Sequence, residues 1–252
     1  MSDSMRRVAF VTGASQGLGA AIAIALARDG FDVAVSSTKV GGLTPTLKGI
    51  EAAGRRGHAV ALDLADVSGV ERAIAEAVAA LGPLELLVNN AGITLRRSAL
   101  EMAPHEWDSI LAVNLKGTFF LTQQMGRHLV AARRPGCIVN MGSTHGLLGF
   151  PQRLAYGVSK AALMHMTKML AIEWAQYGIR VNAVAPGTVS TPSREAHFSA
   201  DPAAREAMIA RVPLKRFATM EEVAAAVCYL ASPAARYVTG HTLILDGGLT
   251  AY

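Results

Sequence analysis

The chain has 252 residues, 51% of them hydrophobic and 17% charged, with a formal net charge of +5. That is ample for one buried core and suits a single large α/β domain, and no linker, low-complexity tract or internal repeat divides it. The longest apolar stretch, Ala20 to Ala27, falls far short of a membrane span. The basic doublets Arg6-Arg7, Arg55-Arg56, Arg96-Arg97 and Arg133-Arg134 are dispersed and lack interleaved aromatics, so neither a membrane nor a nucleic-acid partner is expected.

The chain opens with a short polar segment, Met1 to Arg7, that leads straight into an apolar run and leaves no room for a signal peptide; cytoplasmic residence is predicted. Strands are predicted at Val8 to Val11, Asp32 to Ser36, His58 to Leu62, Leu84 to Asn89, Cys137 to Met141, Arg180 to Ala185 and Thr242 to Leu245. Their near-continuous Val, Ile, Leu and Ala content is what strands buried on both faces require, and the helical patterns between them predict a doubly wound, seven-stranded parallel sheet with helices on both faces. Ser68-Gly69-Val70-Glu71 and Thr219-Met220-Glu221-Glu222 match the capping box, and Gly30, Gly82 and Gly178 sit where helices stop. Two long helical segments, Glu106 to Ala132 and Leu154 to Tyr177, carry more apolar residues than one buried face needs, which points to subunit packing. Cys137 and Cys228 lack metal-ligand spacing and read as buried thiols; no metal site is expected.

The first strand runs into Thr12-Gly13-Ala14-Ser15-Gln16-Gly17-Leu18-Gly19 and then a helix, the context a dinucleotide fingerprint needs. Gly13 allows the tight turn, Gly17 lets the backbone approach a pyrophosphate, and Gly19 lets the helix pack on the strand, whose neighbouring helix N-terminus offers free N–H groups to phosphate. After the second strand the chain reads Ser36-Ser37-Thr38-Lys39. An acid there would bind a ribose 2′-hydroxyl; its absence, with Lys39 close by, favours NADP, and NAD stays possible because Lys39 also reads as a solvated loop lysine and Gln16 stands where NADP enzymes often carry a base. Further on, Tyr156 and Lys160 lie one helical turn apart on one face, which places an ammonium near a phenol and favours its ionised form.

These motifs, together with Asn89-Asn90-Ala91-Gly92, Asn114, Ser143 and Pro186-Gly187, resemble the short-chain dehydrogenase/reductase family in order and spacing from about Arg7 to Gly248. The resemblance implies a single Rossmann-fold domain, with a substrate lid at about 188–215. It implies that Gly13, Ser15, Gln16, Leu18 and Gly19 line the cofactor phosphates, Asp63 and Leu64 the adenine, and Asn90, Ala91 and Gly92 the adenine ribose and the nearby turn. Pro186, Gly187, Val189 and Thr191 would line the carboxamide. A local turn cap is the other reading of Asp63. It implies a catalytic set in which Tyr156 is general acid in reduction and base in oxidation, and Ser143 bonds the substrate oxygen. Lys160 would lower the tyrosine pKa and hold ribose hydroxyls, and Asn114 would fix a helix irregularity and a proton-carrying water.

Substrate contacts are expected from the turn after Gly92, from 144–153 and from the lid, with Thr94, His145 and Gln152 as polar contacts and Leu147, Leu148 and Phe198 as an apolar wall. The resemblance implies an NAD(P)-dependent oxidoreductase acting on a secondary alcohol or ketone, with a small sugar, polyol or hydroxy acid as the leading substrate class and a homotetrameric assembly. A 3-oxoacyl-[acyl-carrier-protein] reductase is the alternative: Arg134 occupies one carrier-docking position, but Tyr177 stands where a second base is expected. A non-catalytic cofactor sensor is the remaining reading; such proteins usually lose the tyrosine or the lysine, and both are present.

Overall fold

In the computed structural model, which describes residues 7–251, the apolar runs form β1 (Arg7–Thr12), β2 (Phe31–Ser37), β3 (Gly57–Ala61), β4 (Leu86–Asn89), β5 (Gly136–Met141), β6 (Ile179–Pro186) and β7 (Thr242–Leu245). Met1 to Arg6, most of the segment read above for a signal peptide, lie outside the described residues. All seven strands pair in parallel in the order β3-β2-β1-β4-β5-β6-β7. The order reverses between β1 and β4, which opens a crevice at their carboxyl ends, the place where ligands bind in such sheets.

Alternation along each strand assigns its side chains to two layers. Ala9, Val11, Val33 and Val35 face α1 (Gly17–Arg28), α2 (Thr44–Ala52) and α9 (Met220–Ala231) in one core. Val8, Phe10, Ala34 and Ile138 face α3 (Val70–Leu81), α5 (Thr118–Ala131) and α6 (Leu154–Trp174) in the other. Because both faces are covered, the strands can be apolar throughout. Burial pushes the Cys137 thiol up to about 11 and the Cys228 thiol up to about 12; both cysteines are free and, with no thiolate at neutral pH, inert.

Several local expectations change. Thr219 and Glu222 do form a reciprocal capping box, at 3.2 and 2.8 Å. Ser68 does not: a short 3-10 turn, Val67–Gly69, precedes α3, and Asp66 caps it by accepting from Ser68 N at 3.0 Å. The segment read as one helix from Glu106 is α4 (Pro104–Leu111), a π-helical turn at Ala112–Gly117, and α5. Gly117 lets that turn press on the loop after β3, since a Cβ there would overlap Leu64 O. The basic doublets also have structural work. Arg55 and Arg56 clamp the buried Asp32 at 2.9 and 2.8 Å, and Arg97 pairs with Glu106. Between β6 and α9, two short helices, α7 (Pro192–Ala200) and α8 (Pro202–Ala210), stand over the crevice.

Candidate active site

The crevice is closed on its floor by a lock between the first and fourth strands. Thr12 Oγ1 accepts from Asn90 N and Ala91 N, both at 3.0 Å, while Asn90 Nδ2 donates to Thr12 O at 2.9 Å and Gly13 O at 3.1 Å. The turn above it tolerates only glycine at two points. Gly13 has φ +64 and a Cβ there would lie 2.8 Å from Ala91 Cα, while a Cβ on Gly19 would overlap Gly13 O. The residue before α1, Gln16, is exposed and offers no side-chain cap, and the first turn of α1 holds no acid. Its first N–H groups therefore have no side-chain cap and are free to bind water or an anion.

The reactive side chains gather at the other end. Ser143, at the end of β5, accepts from His145 N at 3.2 Å and lies 3.3 Å from His145 Nδ1. Tyr156 and Lys160 share one face of α6, with Nζ 5.7 Å from the centre of the phenol ring. Lys160 is 4% exposed, donates to Met141 O at 2.6 Å, and is pushed down by burial to about 8. Burial pushes the Tyr156 phenol above its ordinary value, against the pull of the Ser143 hydroxyl and the charges of Arg194 and Arg153. Lys160, expected from its spacing to favour the ionised phenol, donates instead to a backbone carbonyl, and the Ser143 hydroxyl, then Arg194 and Arg153, are what pull against the rise. Asn114, fully buried in the π-helical turn, accepts from Ile93 N at 2.8 Å and donates to Ile93 O at 2.9 Å and Ser159 Oγ at 3.1 Å. Its side chain positions the loop after Gly92 and the helix that carries Lys160.

A cavity of about 550 Å³ joins these groups. Of the expected substrate contacts, Thr94, His145 and Gln152 line it. Phe198 does not: it is buried against Phe217, ring centres 5.4 Å apart, and holds the two-helix segment together. Leu147 and Leu148 are likewise absent from the wall, where Ile93, Phe150 and Met208 stand instead. Arg96, Arg153, Arg194 and Arg211 also line the cavity, although their side chains had no role in the reading of the sequence. A signal was there: each of the loops expected to carry substrate specificity contains at least one arginine. His145 stacks on Phe150 at 4.0 Å and meets Tyr156 edge-on at 5.6 Å. Its imidazole is pushed down to about 4, by burial and then by Arg153, Arg194 and Arg96, so it is neutral at pH 7 and can hydrogen-bond Ser143 without adding charge.

Residues 13–250 match the protein family described as enoyl-(acyl carrier protein) reductase. The chain is also 38% identical over 254 residues to 3beta-hydroxysteroid dehydrogenase 1 of Eggerthella lenta, covering 100% of this chain and 97% of that one. The chain is a short-chain dehydrogenase/reductase. It is therefore an oxidoreductase acting on CH–OH groups with a nicotinamide cofactor. It is 37% identical to the 3-oxoacyl-[acyl-carrier-protein] reductase of Thermotoga maritima, over 96% of this chain and 97% of the relative. Among solved structures it superposes, with a TM-score of 0.91 and 38% identity, on an Agrobacterium tumefaciens protein provisionally named as a 2-deoxy-D-gluconate 3-dehydrogenase with bound NADP, covering 99% and 98% of the two chains.

The uncapped helix and the glycine cradle of this reductase fit a dinucleotide. Leu18, Asn90, Gly92, Pro186, Gly187, Val189 and Thr191 line the cavity, whereas Gly13, Ser15, Gln16, Gly17, Gly19 and Ala91 lie outside its lining. Beyond them, Ser37 accepts from Lys39 N at 3.3 Å, and Thr38 and Lys39 are exposed. Asp63 accepts from Ala65 N at 2.9 Å, the local turn cap that was its other reading. Leu64 points into the core, which leaves its main chain for any adenine contact.

Proposed function

We propose that this reductase transfers a hydride between NADPH and a small, hydroxylated carbonyl compound, with the reacting oxygen held between Ser143 and Tyr156. The observation that carries the proposal is the convergence of Ser143, Tyr156 and the buried Lys160 on the cavity that adjoins the glycine cradle. A bound nicotinamide supplies the hydride. Ser143 Oγ donates to the carbonyl oxygen as negative charge develops on it, Tyr156 gives that oxygen a proton, and Lys160 holds positive charge beneath the phenol and ribose hydroxyls nearby. In the reverse direction Tyr156 takes the proton back. The two-helix segment α7 and α8 acts as the lid that excludes water, and Asn114 acts by positioning. The polar lining, Thr94, His145 and Gln152, supports a small polar substrate.

A second reading, reduction of a 3-oxoacyl group on a carrier protein, draws support from the Thermotoga maritima relative and from Arg134. Against it, Tyr177 presents an exposed ring where a second docking cation would stand. NADPH oxidation assayed on a panel of sugars, oxo acids and a short 3-oxoacyl thioester separates the two: turnover of the thioester alone would replace the first reading by the second.

Preference for NADP rests on the end of β2. No acid stands there, since Asp32 lies at the opposite end of the strand in the grip of Arg55 and Arg56, and Lys39 makes no ion pair among the described residues. Lys39→Glu is expected to weaken NADPH binding about tenfold or more while leaving NADH within about twofold, by loss of a charge-assisted bond and gain of a repulsion. Equal effects on both cofactors in a fluorescence titration would refute this use of Lys39. The same proposal includes a homotetramer. Met169 and Ile172, one turn apart on α6, are 57% and 80% exposed, and large apolar side chains so exposed favour a partner surface. Multi-angle light scattering should give about four times the chain mass of 26.4 kDa, and a monomer would contradict it. Cytoplasmic residence completes the proposal, and the free thiols Cys137 and Cys228 suit a reducing compartment.

A further inference from the structure

The arginines of the catalytic cavity form a set that hydride transfer does not require. Arg96 follows β4, Arg153 precedes α6, Arg194 is in α7 and Arg211 follows α8, so four separate segments each contribute one arginine to the lining. No aspartate or glutamate lines that space. The acids close by are already taken. Glu106 pairs with Arg97, Glu195 with Arg205 and with the Ser190 hydroxyl, and Glu222 with Arg216. Arg96, Arg153, Arg194 and Arg211 have no acidic partner among the described residues; Arg153 donates to Thr94 Oγ1 at 2.7 Å, and Arg211 rests on the Phe150 ring at 5.3 Å.

Like charges gathered without a counterion repel one another, and a fold gains nothing from holding them so. Such a cluster is stable to the extent that an anion enters it. The cofactor phosphates have their own place at the uncapped N-terminus of α1, whereas these arginines act on the reactive end: Arg153 and Arg194 bear on Tyr156, and with Arg96 on His145. Planar guanidinium forks bind carboxylate and phosphate oxygens in pairs, which fixes orientation as well as presence.

We infer that the substrate carries an oxyanion, a carboxylate or a phosphate ester, held by Arg153 and Arg194 with Arg96 and Arg211 around them, so that the reacting carbon is presented to Ser143 and Tyr156. This deepens the proposed function and rests on it for the location of the reacting carbon. Neutral sugars and polyols of the same skeleton are then poor ligands, because they leave the guanidinium groups unpaired.

Calorimetric titration tests the inference, with and without saturating NADP, using matched pairs: D-gluconate against D-glucitol, D-glycerate against glycerol, and glucose 6-phosphate against glucose. At least one anion is expected to bind tenfold or more tightly than its neutral partner, the carboxylate and phosphate pairs showing which oxyanion is recognised. Arg153→Met and Arg194→Met should each reduce that preference by about tenfold to hundredfold while the NADPH Kd moves less than twofold. The fold is checked by the melting temperature, which loss of a repelled charge should not lower. No anion preference in any pair, or a preference that survives in the double variant, overturns the inference. Failure of the wild-type protein to bind NADPH would instead sink the proposed function, and anion binding without NADP would still be measured.

Discussion

Replacing Tyr156 by phenylalanine is expected to lower kcat for NADPH-dependent reduction by about 10² to 10⁴, the usual contribution of a positioned proton donor. NADPH binding and the melting temperature should hardly move, because the ring stays and only its hydroxyl is lost. The prediction follows from the surroundings of that hydroxyl: burial raises its pKa above the ordinary value, against the pull of Ser143, Arg194 and Arg153, so it is protonated at neutral pH and ready to donate. The sign of the pH dependence follows. Oxidation of an alcohol needs the phenolate and should accelerate as pH rises through the tyrosine pKa, whereas reduction should decline over the same range. Unchanged turnover in Tyr156→Phe would revive the non-catalytic, cofactor-sensing reading or place the donor elsewhere.

Lys160→Met is expected to have the opposite effects on activity and stability. The ammonium is buried without a carboxylate partner, and its displacement from 10.5 to about 8 corresponds to about 3 kcal/mol of destabilisation at neutral pH. The unfolded chain binds the additional proton between those two values, so the cost is fully present below about pH 8 and disappears as pH rises toward 10.5. Removing the charge forfeits the bond to Met141 O, about 1 to 2 kcal/mol, which leaves a net gain of about 1 to 2 kcal/mol. In the absence of cofactor the variant should therefore melt roughly 2–8 °C higher at pH 7, an advantage that shrinks above pH 8, and its activity should be nearly abolished. A Lys160→Met protein that melts below the wild type at pH 7 would show that the buried ammonium is a structural asset and not a functional cost.

Much of this was legible in the sequence, for identifiable reasons. Parallel strands covered on both faces must be apolar throughout, so all seven appear as Val, Ile and Ala runs and fall within a few residues of their observed limits. Leu84 was read into β4 as part of its apolar run; it is fully buried, but the ladder begins at Leu86. The π-helical turn at Asn114 has no composition of its own and was legible only as an irregularity implied by family resemblance. Asp66 displaced Ser68 as the cap because a 3-10 turn shifts the start of α3, and no pattern of residue types announces that shift. Phe198 was assigned to the substrate wall on hydrophobicity, a property that fits a core residue equally well. The arginine cluster was missed for a different reason. Arg96, Arg153, Arg194 and Arg211 are far apart in sequence, and only the fold brings them to one cavity.

The same comparison separates what a spacing can and cannot say about chemistry. Four residues on a helix do place Tyr156 and Lys160 on one face, but the spacing cannot show where Nζ finds its hydrogen bond. Here the carbonyl of Met141 holds it, and Ser143, Arg194 and Arg153, none of them four residues from Tyr156, also act on the phenol.

Hydride transfer to a small polar carbonyl is measured most directly by deuterium transfer. NADPH carrying deuterium at C4 is incubated with the wild-type protein and the panel of sugars, oxo acids and a 3-oxoacyl thioester, and the products are analysed by mass spectrometry. The account predicts one deuterium on the carbinol carbon of a hydroxylated oxo compound, with none in Tyr156→Phe. NADPH bound but never oxidised across the panel, or deuterium found only in the thioester product, would contradict it.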